Sequence, residues 1–425
     1  MKKSRMWIAL GVVIAVAAVL VVVAGQAPSE KKIEQPLERL YATHDPQFRR
    51  AMSVLLGPQI LDGNHVEVLL NGDQIFPAMV GAIRKATRSI TFETYIYWSE
   101  SIGREFADAL IERARAGVKV HVLLDWVGSA KMEKRYLDEM TAAGVQVERF
   151  HEPHWSRLPR LNNRTHRKEL VVDGTVGFTG GVGIADKWRG HAQDPDHWRE
   201  THFRVEGPVV AQMQAVFMDN WIKSTGRVLH GDAYFPALPP RGRMPAQMFG
   251  SSPTGGSESM HLMYLMAITA ARESIQLSNS YFVPDELAAR ALADAARRGV
   301  KVQVIVPGPH IDTEVVRRAS RSLWGSLLEA GVQIAEYQPT MFHCKVLVVD
   351  TLLVSVGSTN FDNRSFRLND EANLNVLDAA FAQRQGEIFR DDWTNAKPVT
   401  LEQWKHRPWQ EKLVERAAAL LRTQL

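Results

Sequence analysis

The chain has one cysteine in 425 residues. Cys344 therefore cannot form an intramolecular disulfide, and it leaves either side of a membrane open. There is no Cys-x-x-Cys and no His-Glu-x-x-His, so the commonest zinc frameworks are absent. There is no Gly-x-Ser-x-Gly, the usual signature of a serine hydrolase. Net charge is also small. A formal value of +4 admits an anionic partner without requiring nucleic acid. What remains is a globular composition, 45% hydrophobic and 23% charged. The chain is long enough for two domains with a core each.

The N-terminus reads MKKSRMWIALGVVIAVAAVLVVVAGQ. Trp7 to Gly25 is an uncharged apolar run of 19 residues, enough to span a bilayer and longer than the usual core of a cleaved signal peptide. Lys2, Lys3 and Arg5 precede it, which predicts a cytoplasmic N-terminus and a body outside; Lys31 and Lys32 weaken that orientation. Residues 1–30 are thus expected to be a single-pass anchor, with a cleaved signal as the alternative, and 31–60 a juxtamembrane segment.

The rest of the chain repeats itself. RARAGVKVHVLLD (113–125) matches AARRGVKVQVIVP (295–307), and AAGVQV (142–147) matches EAGVQI (329–334). The offsets are 182 for Gly117 to Gly299, 187 for Gly144 to Gly331 and 177 for His166 to His343. Nearly constant offsets in one order indicate two homologous halves. SITFETYIYW, VKVHVLLD and VQVERF read as strands, separated by helical spacing that ends at glycine. That alternation predicts an α/β fold, each half a mostly parallel or mixed sheet flanked by helices. FPALPPRGRMP and GSSPTGGSES read as linker and loop, so the halves are expected to be residues 61–244 and 245–400. A C-terminal amphipathic helix is expected over 401–425.

The same octamer spelling occurs once per half: HRKELVVD (His166–Asp173) and HCKVLVVD (His343–Asp350). A single His-x-Lys-x4-Asp is a weak signal, because core strands with polar ends match it by chance. Two copies, each followed after six intervening residues by a glycine turn (Gly180 and Gly357), are a strong one. Period-two alternation sends His166 and Lys168 to one side, and likewise His343 and Lys345. Cys344 points the other way.

The residue types suit metal-free phosphoryl transfer. Two lysines offer fixed positive charge to a phosphodiester's oxygens. A neutral histidine can attack phosphorus, and a protonated one can protonate the leaving alkoxide. The two imidazoles then need opposite protonation states, and carboxylates on their other nitrogens can set them. A lysine two residues from each histidine would repel a zinc ion.

These motifs resemble the phospholipase D superfamily, and within it the bacterial cardiolipin synthases with one N-terminal anchor. The resemblance runs over roughly residues 60–415 and includes FETYIYW, GREFADALIERARAGVKVHVLLD, NNRTHRKELVVDGTVGFTGGVGIAD, SYFVPDE, FHCKVLVVD and GSTNFDNRSFRLNDEANL. It implies two similar α/β domains with one active site at their interface, a phosphohistidine intermediate, and no metal or other cofactor. His166 and His343 become the catalytic pair, with His166 favoured as nucleophile, and Lys168 and Lys345 the phosphate-holding lysines. Ser358 and Asn360 complete the pocket in the second half, with Gly181 as the first-half counterpart. Glu371 in LNDEANL is the carboxylate partner of a motif histidine. Glu200 in WRETH is its counterpart, where aspartate is expected. Asp173 and Asp350 join the candidate catalytic set, with bracing of the strand ends as the alternative. Gly183 departs from the family, which usually has asparagine there. Backbone N–H groups or a water could replace the lost amide, or the substrate could be altered.

Two further features stay open. HEPHWSRLPRLNNR (151–164) carries His151, His154, Trp155, Arg157, Arg160 and Arg164, either a basic rim for anionic headgroups or a solvated loop. Trp404, Trp409, Leu413, Ala417 and Leu420 form a stripe at helical spacing, expected to pack on the body, with interfacial membrane contact as the alternative. The expected function is a membrane phosphatidyltransferase joining two phosphatidylglycerols into cardiolipin, without nucleic acid as a partner. A phospholipase D hydrolase, a nuclease and a silent tethered binding protein are the rivals. The expected location is a bacterial cytoplasmic membrane, catalytic domains outside.

Overall fold

The computed structural model describes residues 32–152, 162–253, 258–422 and 424. The apolar run at 7–25 lies outside the described residues, as do His154, Trp155, Arg157 and Arg160.

Both halves contain the strand–helix alternation. In the first, Ser89–Thr94, Lys119–Asp125 and Gln146–Phe150 lie parallel, connected by the helices Ser101–Arg115 and Lys134–Ala142. In the second, Ser274–Asn279, Lys301–Pro307 and Gln333–Tyr337 do the same. Ser101–Arg115 is helical because Ile102, Phe106, Ala109 and Leu110 recur on one face and are buried together. Gly117 and Gly299, which helped reveal the repeat, have φ of 88° and 91°. They follow the helices Ser101–Arg115 and Glu286–Arg297, where only glycine turns left-handed without a Cβ penalty.

Along the rest of the main strand path the pairing is antiparallel, so the sheet is mixed rather than mostly parallel. Glu169–Val172 lies antiparallel to Ser89–Thr94 and turns back into Val176–Gly180. Lys345–Val349 repeats this with Leu353–Gly357. The turns are tight because Asp173 and Gly174 have φ of 54° and 65°, and Asp350 and Thr351 of 51° and 52°. Aspartate and glycine tolerate that conformation, so the last letter of each motif is also a hairpin signal.

The strands join into one continuous sheet. From Gln146–Phe150 the path runs through Lys119–Asp125, Ser89–Thr94, Glu169–Val172, Val176–Gly180, Thr201–Glu206 and Leu61–Leu70. It crosses to Met244–Ser251 and then repeats the order in mirror sequence: Asn369–Leu377, Leu353–Gly357, Lys345–Val349, Ser274–Asn279, Lys301–Pro307, Gln333–Tyr337 and finally Ala396–Val399. Helices cover both faces. Leu347 and Val349 point into the core with Met263, Leu292 and Trp324, whereas Val346 and Val348 point into another with Met213 and Phe381. Apolar packing on both sides is why the motif strands read as unbroken apolar runs. The helix Pro46–Leu56, in the segment expected to lie beside a membrane, packs Phe48, Met52 and Leu56 into the second half's core.

The C-terminal segment departs from its expected packing. It forms Leu401–Lys405 and Trp409–Ala419. Trp404 does pack, donating its indole N–H to the Arg321 carbonyl at 2.7 Å. Trp409, Leu413 and Leu420, however, face outward, and the helix is buried through Glu415 and Ala418 instead.

Candidate active site

The histidine segments are stitched across the halves by backbone. Arg164–Thr165 pairs in parallel with Asn369–Asp370, and the His166 N–H donates to the Asp370 carbonyl at 2.9 Å. Symmetrically, Arg199 bridges Phe342, and the His343 N–H donates to the Arg199 carbonyl at 2.9 Å. Each histidine thus sits beside the acid of the other half. His166 Nδ1 lies 3.0 Å from both Glu371 oxygens, and His343 Nδ1 lies 2.5 Å from Glu200 Oε2. This crosswise pairing joins the halves into one site.

Both lysines are buried at its centre. Lys168 Nζ donates to the His166 carbonyl at 2.6 Å, and Lys345 Nζ to the His343 carbonyl at 2.6 Å and the Ser280 hydroxyl at 2.7 Å. Ser280 in turn donates to Asn360 Oδ1 at 2.8 Å. In the first half Tyr95 stands where Ser280 does, its ring 5.5 Å from Lys168 Nζ and 5.2 Å from the His166 ring. The two lysines thus differ: one is held by a hydroxyl–amide chain, the other by an aromatic face.

The two acids differ more. Glu371 accepts from Ser358 at 2.5 Å, Ser365 at 2.7 Å and Asn369 at 3.3 Å besides His166. Burial alone would raise its carboxyl, but the His166 ring, Lys168 and Ser358 hold it below the ordinary value. Among the described residues Glu200 accepts only from the Thr201 N–H, at 2.8 Å, besides its contact with His343. Burial pushes it up to about 7 against the Lys345 charge. Burial also lowers His166 to about 4, and burial with Lys345 and Lys168 holds His343 well below the usual imidazole range. Burial brings Lys168 down to about 7 and lowers Lys345 too. A bound phosphate would raise both lysines by direct charge attraction.

An ionised Glu371 accepts a hydrogen bond from His166 Nδ1–H and leaves the lone pair on Nε2. A protonated Glu200 donates to His343 Nδ1 and leaves the proton on Nε2. With Glu371 ionised and Glu200 protonated, the two rings would carry opposite tautomers, each set by the carboxyl it meets.

The matches to known proteins agree with this geometry. The family model described as "Cardiolipin synthase, PLD-like domain" matches residues 79–221 and 264–393, spanning both motifs. The chain belongs to the cardiolipin synthase family of phospholipase D-like proteins. It is 36% identical to a cardiolipin synthase of Geobacillus kaustophilus (strain HTA426), over 92% of this chain and 79% of that one. It is 36% identical to cardiolipin synthase A of Pseudomonas fluorescens (strain SBW25), over 88% and 77%. The solved phosphatidylserine synthase of Haemophilus influenzae Rd KW20 shares the fold, with a TM-score of 0.65 at 14% identity over 89% of this chain and all of that one. As a member of this family the protein is a phosphatidyltransferase acting on phospholipid.

Several expected site residues take other places. Asp173 and Asp350 do not join the cluster. Each lies at the far end of its motif strand, roughly 16 Å from the lysine at about 3.3 Å per residue. Asp173 accepts from the backbone N–H groups of Thr87, Arg88 and Ser89, and Asp350 from those of Arg272, Glu273 and Ser274. They brace the strand starts, because a carboxylate there meets three otherwise orphaned donors. Ser358 is turned onto Glu371 rather than into open space. Gly181 lies under Glu200, where a Cβ would come 2.3 Å from the carboxylate. Arg164 stands at the edge, its guanidinium 5.5 Å from the Trp126 ring.

Gly183 leaves no gap where an amide is missing. A Cβ there would meet the Trp188 ring at 2.8 Å and the Ile96 Cβ at 3.0 Å. Trp188 and Trp198 flank His343, with ring centroids 5.4 and 5.3 Å away. Lys187 lies 4.0 Å from the Trp198 ring centroid and 4.6 Å from that of Trp98, over which Lys131 also sits at 3.9 Å. Ser280, Ser365, Trp188 and Trp198 were absent from the sequence-based set. Ser280 sits in SYFVPDE and Trp198 in WRETH, next to motifs already noted. Cys344 is buried and its thiol pushed up to about 12 by burial, so it stays inert. Among the described residues no group of three or more His, Cys, Asp or Glu is arranged to hold a metal ion.

Proposed function

We propose that the enzyme makes cardiolipin and glycerol from two phosphatidylglycerols through a phosphohistidine on His166. The observation that carries this is the crosswise pair of unequally partnered carboxyls: Glu371 accepts from Ser358, Ser365 and Asn369 besides His166, whereas Glu200, beside His343, accepts from the Thr201 N–H. In the first step the His166 Nε2 lone pair forms a bond to phosphorus while the bond to the departing glycerol oxygen breaks. That oxygen takes the proton of His343 Nε2, and Nδ1 takes the proton of Glu200. Lys168 and Lys345 neutralise the phosphoryl oxygens, with the Asn360 amide beside them. In the second step the terminal hydroxyl of the acceptor attacks phosphorus and gives its proton to His343 Nε2. Glu200 recovers its own, and the N–P bond breaks. Charge and protons balance over the cycle.

The acceptor brings a phosphate of its own. Lys187 and Lys131 make no ion pair within 4.0 Å among the described residues, and Lys187 lies beside the aromatic wall of His343. They are suited to that second phosphate, which favours transfer over hydrolysis. The run at 7–25 is read as a single-pass anchor, with the body outside the bacterial cytoplasmic membrane. An export-dependent reporter fused after Leu425 tests that orientation.

The deciding experiment gives purified enzyme labelled phosphatidylglycerol. Cardiolipin and glycerol in equal amounts, with a trapped adduct on His166, support the reading. Phosphatidic acid as the main product overturns it in favour of a hydrolase.

A further inference from the structure

The helix Trp409–Ala419 is amphipathic the wrong way round for a soluble protein. Its buried face is polar: Glu415 is 3% exposed and accepts from Arg407 at 2.7 Å and Arg321 at 3.2 Å. Ala418 completes that face, packed with Val283, Val316 and Ala319. Its outward face is apolar, with Trp409 71%, Leu413 60% and Leu420 83% exposed. At 100° per residue these three fall within about 40° of one another, roughly opposite Glu415 and Ala418. Val414 and Leu421 widen the patch, and Lys412 and Arg416 border it. No described residue covers it.

The segment also ends at the rim of the active site. The Asn363 side chain donates to the Arg422 carbonyl at 3.3 Å, and Arg364 to the Gln424 carbonyl at 3.2 Å. Asn162, four residues before His166, donates to the Gln424 side chain at 3.0 Å. Asn363 and Arg364 belong to the short helix that presents Ser365 to Glu371.

We propose that this helix is a membrane-docking surface, and that it seats the mouth of the active site on an anionic bilayer. Trp409, Leu413 and Leu420 enter the headgroup–acyl boundary, a tryptophan at one end suiting that depth. Lys412 and Arg416 meet anionic headgroups beside them. Glu415, locked to two arginines, holds the helix rigidly with its apolar side out. The contact is separate from any N-terminal anchor, and it rests on the phospholipid substrate. A lipid then reaches the lysines from the bilayer surface without crossing water.

The test uses the full chain in vesicles of phosphatidylcholine, with and without phosphatidylglycerol. A fluorophore is placed on L413C or L420C, and on Q383C as a distant control; Cys344 is buried and stays unlabelled. Quenching by an acyl-chain nitroxide at 413 and 420 but not 383, with loss of access to aqueous iodide, is the expected result. Continued iodide access without nitroxide quenching overturns the proposal. So does iodide protection without nitroxide quenching, which would mark a second copy of the chain as the cover. In L413E/L420E, turnover of vesicle phosphatidylglycerol should fall at least tenfold. Turnover of a short-chain, monomeric phosphatidylglycerol should stay within twofold. Equal loss on both lipids overturns docking. Wild-type inactivity on the short-chain lipid would instead count against the proposed chemistry and leave the quenching result standing.

Discussion

Glu200→Gln isolates the proton that the leaving group needs. Glutamine keeps the shape and still accepts from the Thr201 N–H, but it has no acidic proton to pass to His343. A carboxyl moved from 4.5 to about 7 has its protonated form favoured by on the order of 3 kcal/mol more than an ordinary glutamate. General acid catalysis contributes about 10²–10⁴-fold, so E200Q should slow phosphoenzyme formation from phosphatidylglycerol by that order. With a phosphatidyl nitrophenyl ester the leaving oxygen is a weak base, and the loss should stay within about fivefold. The pH profile carries the same signature. For the wild type on phosphatidylglycerol, the first step should fall as pH rises through about 7, where Glu200 loses its proton. It should also fall as pH drops through about 4, where His166 gains one. Lys168, also brought down to about 7 by burial, would give a similar upper limb. The nitrophenyl ester separates the two, because only a limb due to Glu200 disappears with it. The assay is rapid quench with mass spectrometry of the His166 adduct across both limbs. Equal slowing of both esters by E200Q would refute the assignment of the acid.

Other expectations follow from the same contacts. Gly183→Asn should not restore a family-like pocket. With Trp188 at 2.8 Å and Ile96 at 3.0 Å, overpacking should cost about 1–3 kcal/mol and displace Trp188 from His343, read as a lower Tm with lost activity; unchanged Tm and activity would refute the overpacking. Asp173→Ala should lower unfolding free energy by roughly 3 kcal/mol, because hydrogen bonds to a charged group are lost. Its kcat per folded molecule should be unchanged, and a kcat loss without a stability loss would return Asp173 to the chemistry. Turnover should survive a strong chelator, since two lysines supply the positive charge; loss restored by a divalent ion would refute that. In K187A/K131A the cardiolipin-to-phosphatidic-acid ratio should fall about tenfold or more while His166 adduct formation holds. An unchanged ratio would remove these lysines from acceptor binding.

The motif pair, the repeat and the parallel strands were legible because each leaves a local mark: a glycine at a helix end, an apolar run between two cores, a fixed spacing of His and Lys. The crosswise pairing of the two acids was not. Glu371 lies 205 residues from His166, and no spacing tells which half's carboxylate a histidine will face. That depends on how Arg164–Thr165 docks beside Asn369–Asp370. The surroundings of Gly183 were hidden for a related reason. Compared with a family pattern it reads as a missing amide, but the ring that fills the space belongs to Trp188, five residues on, folded back by the 3-10 turn Asp186–Trp188. The C-terminal helix shows the same limit most plainly. Periodicity groups Trp409, Leu413 and Leu420 on one face, and it cannot say which way that face points. What turns it outward is Glu415, a residue that ordinarily marks the solvent side. Arg407 and Arg321 make its burial tolerable, and with both partners in place the polar face becomes the one that packs. The apolar stripe is then free for a bilayer, and a pattern that reads as core in sequence becomes surface in the fold.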